Sequence, residues 1–322
     1  MKGKISAKEM REERLRWQSW TVVGIVAAGC AYDLLANRMG PCTPAYLRLA
    51  LALSCCLGLL VYFLRAATCW GSVLGALITF QLLTLVGVEG DSPWHTCLQS
   101  GLVPELVLFL LTWLATQYGR SRKQILGLAE KKTGRTAGQI AANLGPSILA
   151  LLVMQFYIRI FFLHSGPQDS ISLASLLLYP YKSFGPSLCT IALLAAMAEA
   201  TADTLSSELG QVLGGDPWMI TSFRRVPIGT DGATSISGSV AGILGALMVA
   251  LAGTYAFHLN LFGCGIAFAA AVIGLFLDSL LGATLEQRGW LNNDAVNFFS
   301  GSVALKIAAL ITVLEIGKIL IV

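Results

Sequence analysis

Apolar runs of about 20 residues alternate with short polar breaks along most of this chain, the period of a polypeptide that crosses a bilayer repeatedly. The runs lie at about 20–36, 44–64, 70–88, 101–118, 147–163, 186–205, 234–257, 261–282 and 300–321. A helix needs about 20 residues to span a hydrocarbon core about 30 Å thick, so the pattern predicts about nine transmembrane helices. A shorter apolar piece, Ile171 to Tyr181, reads as re-entrant or as the outer part of the sixth span. The predicted fold class is all-α, a polytopic α-helical membrane protein. Its expected parts are a basic segment over 1–19, an N-terminal transmembrane bundle over 20–118 and a catalytic membrane domain over 119–322.

Composition agrees. Of 322 residues, 55% are hydrophobic and 12% charged, about half the charge usual in soluble domains. Placing those few charges adds a direction. With the N-terminus in the cytoplasm, segments 1–19, 65–69, 119–146, 206–233 and 283–299 are inside and hold 16 of the 22 Lys and Arg. That is the positive-inside pattern. It predicts a multi-pass integral membrane protein with its polar face towards the cytoplasm, in the plasma or inner membrane if the source is bacterial. The net charge of +4 then reflects topology, and no nucleic-acid partner is expected. The eight cysteines show no C-x-x-C spacing, though Cys42 and Cys97 both fall in predicted outer loops, where a disulfide between them stays open. His95, His164 and His258 fall on or near the outer side, so chemistry on the inner face has no histidine base.

Polar residues inside apolar runs need a reason, because a charge at mid-span costs about 2.5–3.5 kcal/mol on insertion scales. They concentrate in the second half. In the stretch LLAAMAEATADTLSSELG over 193–210, Glu199 and Asp203 share a helix face, flanked by Ser206 and Ser207. Glu208 is five residues past Asp203, about 140° round the helix, so both carboxylates grip one ion only if the helix unwinds. Glu199 reads equally as a neutral buried acid. Asp278 interrupts another apolar run. Asn293, Asn297 and Ser300 form a polar stripe entering the last span, and Arg135, Gln139 and Asn143 form one before the fifth. All four elements converge on one membrane face.

Between the sixth and seventh spans, Arg224 and Arg225 precede a turn, Gly229-Thr230-Asp231-Gly232, expected to open a helix at Ala233. Free N–H groups and a positive dipole end there suit a phosphate, and arginine adds bidentate donors, although an arginine pair also serves as a topology anchor. No P-loop and no G-x-G-x-x-G motif is present. The Gly71-x-x-x-Gly75 and Gly238-x-x-x-Gly242 pairs read as scaffold for close helix packing.

Five blocks carry a resemblance: KKTGRTAGQIAANLG over 131–145, ADTLSSELG over 202–210, VPIGTDGA over 226–233, DSLLGAT over 278–284 and WLNNDAVNFFS over 290–300. In this order they resemble the integral membrane family that includes transmembrane protein 19 and the plant phytyl-phosphate kinase of tocopherol synthesis. The resemblance implies transfer of a nucleotide γ-phosphate, CTP in the plant members, to an isoprenyl monophosphate (phytyl, geranylgeranyl or farnesyl phosphate). Asp203, Glu208 and Asp278 are then expected to hold Mg²⁺ and orient the acceptor, with Asn293 and Asn297 as polar ligands. Arg135, Ser207, Arg224, Arg225 and the turn Gly229, Thr230, Asp231 and Gly232 are expected to bind the nucleotide and its phosphates. Two other readings stand beside this one: a secondary transporter with broken helices, and a CDP-alcohol or cytidylyl transferase. The Asp231-Gly232-Ala233-Thr234-Ser235-Ile236 stretch lacks the arginine of the CDP-alcohol signature.

Overall fold

A computed structural model describes the backbone of residues 7–36, 43–84, 92–130, 132–164 and 173–321, and side chains within 10–35, 43–84, 92–130, 132–153 and 187–315. In chain order the helices are α1 (Ala7–Arg14), α2 (Arg16–Ala36), α3 (Pro44–Phe63), α4 (Cys69–Thr84), α5 (Pro93–Leu98), α6 (Leu102–Gln117), α7 (Arg120–Ile125), α8 (Ala137–His164) and α9 (Leu173–Leu213). A two-stranded antiparallel ribbon, β1 (Trp218–Met219) with β2 (Ala233–Thr234), separates α9 from α10 (Ile236–Ala256), α11 (Leu261–Leu281) and α12 (Asn293–Ile321).

Among the described residues, a helix occupies each of the nine predicted apolar stretches. Five are long and apolar enough to cross a membrane by length and composition: α3, α10, the Ser187–Leu213 part of α9, α11 with its extension to Glu286, and Asn293–Glu315 of α12. The helices α4 and α6 are apolar but shorter. The apolar piece after residue 172 is not re-entrant; as the second reading had it, it continues into the sixth span as the first part of α9. Residues 171 and 172 lie outside the described residues, as do Cys42 and Arg38. Cys97 is buried in α5.

Local chemistry sets several helix starts. Thr43 caps α3 by accepting from Tyr46 N, with Pro44 in the first turn. Ser235 and Asn260 cap α10 and α11 by accepting from Gly238 N and Gly263 N. The start of α8 is a capping box: Thr136 N donates to Gln139 Oε1 at 2.7 Å while Gln139 N donates to Thr136 Oγ1 at 3.3 Å. This box starts α8 ten residues before the predicted apolar run and gives Gln139 a structural task.

The centre of the bundle is α9, packed against α6, α8, α10, α11 and α12. Every side chain from Ile191 to Ala198 is buried, so the helix has no lipid-facing stripe there. Alanines and small neighbours make this possible. A β-carbon on Gly238 or Gly242 would stand 2.6 Å from Ser206 O or Ala202 O respectively, so α10 lies directly on α9 and that glycine pair is a packing surface. The other pair divides. A β-carbon on Gly71 would strike Arg135 O at 2.8 Å, whereas one on Gly75 meets nothing within 4 Å. Gly75 does not pack against a helix.

Candidate active site

At one end of the bundle a mostly polar cleft of about 270 Å³ is enclosed by the first turns of α8 and α12, the last turns of α9 and α11, and the segment 228–235. Eleven of the thirteen residues expected from sequence line it: Arg135, Asp203, Ser207, Glu208, Gly229, Thr230, Asp231, Gly232, Asp278, Asn293 and Asn297. Residues over 150 positions apart meet because α8, α9, α11 and α12 each end or begin at the same level.

The Asp203 and Asp278 side chains lie within hydrogen-bonding reach of one another, and both line the cleft. Asn297 Nδ2 donates to Asn143 Oδ1 at 3.0 Å and reaches Asp203 Oδ2 at 3.4 Å. Ser300 Oγ stands 3.1 Å from Asp278 Oδ2 and 3.0 Å from Asn297 O. The polar stripe of α12 thus holds both aspartates in place. Arg135 provides the nearby positive charge. Its backbone is fixed by a short pairing with the α3–α4 turn, Arg135 N to Ala66 O and Thr68 N to Arg135 O, both 2.9 Å. Gly134, at φ +77°, permits it, since a β-carbon there would strike Arg65 O at 2.5 Å.

Three expected residues have other partners. Glu208 stays on unbroken helix, and its Oε2 takes the Nζ of Lys123, which is 1% exposed and also donates to Ala115 O and Thr116 O. The two carboxylates of α9 therefore do different work: Asp203 faces Asp278, while Glu208 ties α7 and the end of α6 to α9. Arg224 and Arg225 do not line the cleft. The β1–β2 ribbon carries their loop outward, where Arg225 lies 5.3 Å over the Trp218 ring and 3.6 Å from Asp216.

The 229–232 turn also differs from expectation. It leads into β2, and α10 begins only at Ile236 under its Ser235 cap, so no helix N-terminus opens at Ala233. The turn instead packs on the end of α11, where a β-carbon on Gly232 (φ +73°) would lie 2.2 Å from Ala283 N. There the chain adopts one π-helical stretch, Gly282–Glu286, a distortion common beside functional sites. Asp231 pairs with Arg11 of α1, which also lies 3.6 Å from Glu286. Burial works against the Arg11 charge, but Asp231, Glu286 and Glu12 outweigh it and hold the guanidinium protonated.

Arg11, Glu130 and Glu286 belong to this region without having been singled out from sequence. The first two sit among clustered basic residues, and Glu286 follows an apolar run like any helix-end acid. Only their distant partners distinguish them.

Six carboxylates line the cleft (Glu130, Asp203, Glu208, Asp231, Asp278 and Glu286) against one arginine, Arg135. Lys123 answers Glu208, and Arg11 answers Asp231 and Glu286. Glu130 Oε2 accepts from Gln139 Nε2 at 3.4 Å, and Asp203 and Asp278 face one another, a pair whose like charges call for a cation or a shared proton. Two carboxylates with amide and hydroxyl oxygens nearby are a donor set that fits Mg²⁺, which takes one or two carboxylates and completes its shell with water and phosphate. Among the described residues, no group of three or more His, Cys, Asp and Glu forms a metal cage by itself.

Residues 52–305 match the family described as integral membrane protein DUF92. An uncharacterized membrane protein of Methanocaldococcus jannaschii is 42% identical over 118 residues, 36% of this chain and 49% of that one, so the match spans about half of that relative's length. An uncharacterized membrane protein of Synechocystis is 30% identical over 248 residues, 73% of this chain and 86% of that one. Protein VTE6, chloroplastic, of Arabidopsis thaliana is 26% identical over 246 residues, 74% of this chain and 68% of that one. No solved structure matches. With the family match running from α3 into α12 and the five motif blocks falling within it, this chain belongs to the DUF92 integral membrane family, the one its motifs resemble.

Proposed function

We propose that this protein is an isoprenyl-phosphate kinase, transferring the γ-phosphoryl group of a nucleoside triphosphate, CTP foremost, to an isoprenyl monophosphate at the cytoplasmic membrane face. The observation that carries the reading is the Asp203–Asp278 pair with Arg135 in a polar cleft at the end of a membrane bundle. A lipid acceptor suits that position: its tail stays among apolar helices while its phosphate meets a water-soluble nucleotide. The motif resemblance to the plant phytyl-phosphate kinase and the relationship to VTE6 over most of both chains support the same class.

Phosphoryl transfer asks mainly for positioning and charge neutralisation. An acceptor monophosphate oxygen is already anionic near pH 7 and attacks the γ-phosphorus without a strong base. The bond from the γ-phosphorus to the bridging oxygen breaks, a bond to the acceptor oxygen forms, and nucleoside diphosphate leaves. Asp203 and Asp278 would hold Mg²⁺, with Asn293 and Asn297 as neighbouring polar ligands. The ion would offset charge on the phosphates, which six carboxylates would otherwise repel. Arg135 is placed to fix the acceptor phosphate, and the Gly229–Gly232 turn and Ser207 offer N–H and O–H donors to the nucleotide. Glu208 acts as a positioning residue through Lys123.

The test is a matrix of nucleoside triphosphates against phytyl, geranylgeranyl and farnesyl phosphate, using purified protein with Mg²⁺. Diphosphate product in at least one pairing is expected. No product in any pairing, together with nucleotide-independent solute uptake by proteoliposomes, would replace the kinase with a transporter.

A further inference from the structure

A second cavity, with about 950 Å³ of empty space including its open mouth, runs between α3, α4, α6 and α8, and most of its wall surface is apolar, from side chains such as Leu57, Leu108 and Phe109. It adjoins the polar cleft: Glu130, Arg135 and Asn143 line both. At the shared end Arg65 and Arg120 join Arg135, and the Arg135 pairing to Ala66 and Thr68 holds the α3–α4 turn there. At the far end stands Glu105, 5% exposed, with Oε1 bonded to Thr79 Oγ1 at 2.8 Å and Oε2 without a partner. Glu105 and Gln117 both line the groove, and twelve residues of helix between them make it about 18 Å long. Gly75 opens into the same space with nothing within 4 Å of where its β-carbon would be. One polar mouth rich in arginine, an apolar wall and a polar floor fit an amphiphile with one anionic end.

We infer that this groove holds the hydrocarbon chain of the acceptor, with Arg65 and Arg120 joining Arg135 around its phosphate and the Glu105–Thr79 pair closing the deep end. The first helices of the bundle then bind substrate and set the chain length accepted. The inference rests on the kinase reading for the identity of the acceptor, but its physical content, an anionic prenyl lipid in this groove, is measurable without turnover.

The probe is geranylgeranyl monophosphate carrying a diazirine near the end of its chain, photolysed with the wild-type protein in the absence of nucleotide. Labelled peptides are expected from α4 around Ser72–Thr79 and from α6 around Glu105–Trp113, and unlabelled geranylgeranyl phosphate should compete. Alongside it, Gly75→Leu fills the groove midway. Its ratio of kcat/KM for geranyl over geranylgeranyl phosphate should rise about tenfold or more. Gly24→Leu, on an exposed position of α2 with equal free space, should leave the ratio unchanged. Labels confined to α10, α11 or α12, or an unchanged ratio in active Gly75→Leu, would overturn the groove while leaving the kinase intact. Competed labelling in the groove without turnover on any nucleotide would retire the kinase and keep the groove.

Discussion

Asp203 and Glu208 look equivalent in sequence, two acids in one hydroxyl-rich helix, yet their surroundings give them opposite tasks. Asp203 faces Asp278 and is held by Asn297; Glu208 is neutralised by a lysine that is almost wholly enclosed. Asp203→Asn keeps the shape and hydrogen bonding but removes one charge of the pair, so turnover should fall by at least about a hundredfold with the thermal unfolding midpoint in detergent nearly unchanged. Full activity of that variant would remove the aspartate pair from the mechanism. Lys123→Met leaves the Glu208 carboxylate at the cleft edge without its cation and Ala115 O and Thr116 O without their donor, a loss of about 1–3 kcal/mol, visible as a lower unfolding midpoint. Adding Glu208→Gln should restore most of the stability and the activity. A stable but inactive double variant would return Glu208 to the metal set.

At the scale of elements, the turn over 229–232 shows how packing replaces a role that local sequence invites. Its glycines serve close approach: Gly232 takes a left-handed conformation directly against Ala283. Gly232→Ala therefore meets both an unfavourable φ and a backbone clash, costing more than about 1 kcal/mol, and it pushes the turn off the cleft. KM for the nucleotide is expected to rise more than KM for the acceptor; an equal rise in both would place the turn outside the nucleotide site. The latch from α1 belongs to the same scale. Arg11 reaches Asp231 and Glu286, while Gln18 and Asn292 tie α2 to the start of α12. Arg11 thus ties the charged N-terminal segment to the border of the site.

For the whole molecule, the positive-inside distribution predicts that the cleft and the N-terminus share the cytoplasmic side. In a background without native cysteines, Asp216→Cys, whose parent side chain is 77% exposed near the cleft end, should be shielded from impermeant maleimide applied outside sealed cells. Leu261→Cys, at an 80% exposed position at the opposite end, should react. The reverse pattern would invert the protein. Chelating divalent cations should also stop turnover, and Mg²⁺ should restore it; activity that survives chelation would assign Asp203 and Asp278 a shared proton in place of a cation.

The apolar runs were enough to set the class of fold and the approximate helix positions, and the polar residues within them the shared end of the bundle, because bilayer thickness and helix rise act on residues close in sequence. The five motif blocks likewise located most of the cleft lining. Helix ends were less legible: the capping box at Thr136 and the unbroken course of α9 through Glu208 depend on side chains just outside the apolar windows. What only the tertiary structure decided was pairing. Lys123 chooses Glu208, Arg11 chooses Asp231, Arg225 turns out to Trp218, and Gly75 opens on a groove where Gly71 packs. Charges act over a few ångströms of space whatever their separation along the chain, so only the packed bundle distinguishes an aspartate neutralised by its neighbour from one left to hold a ligand.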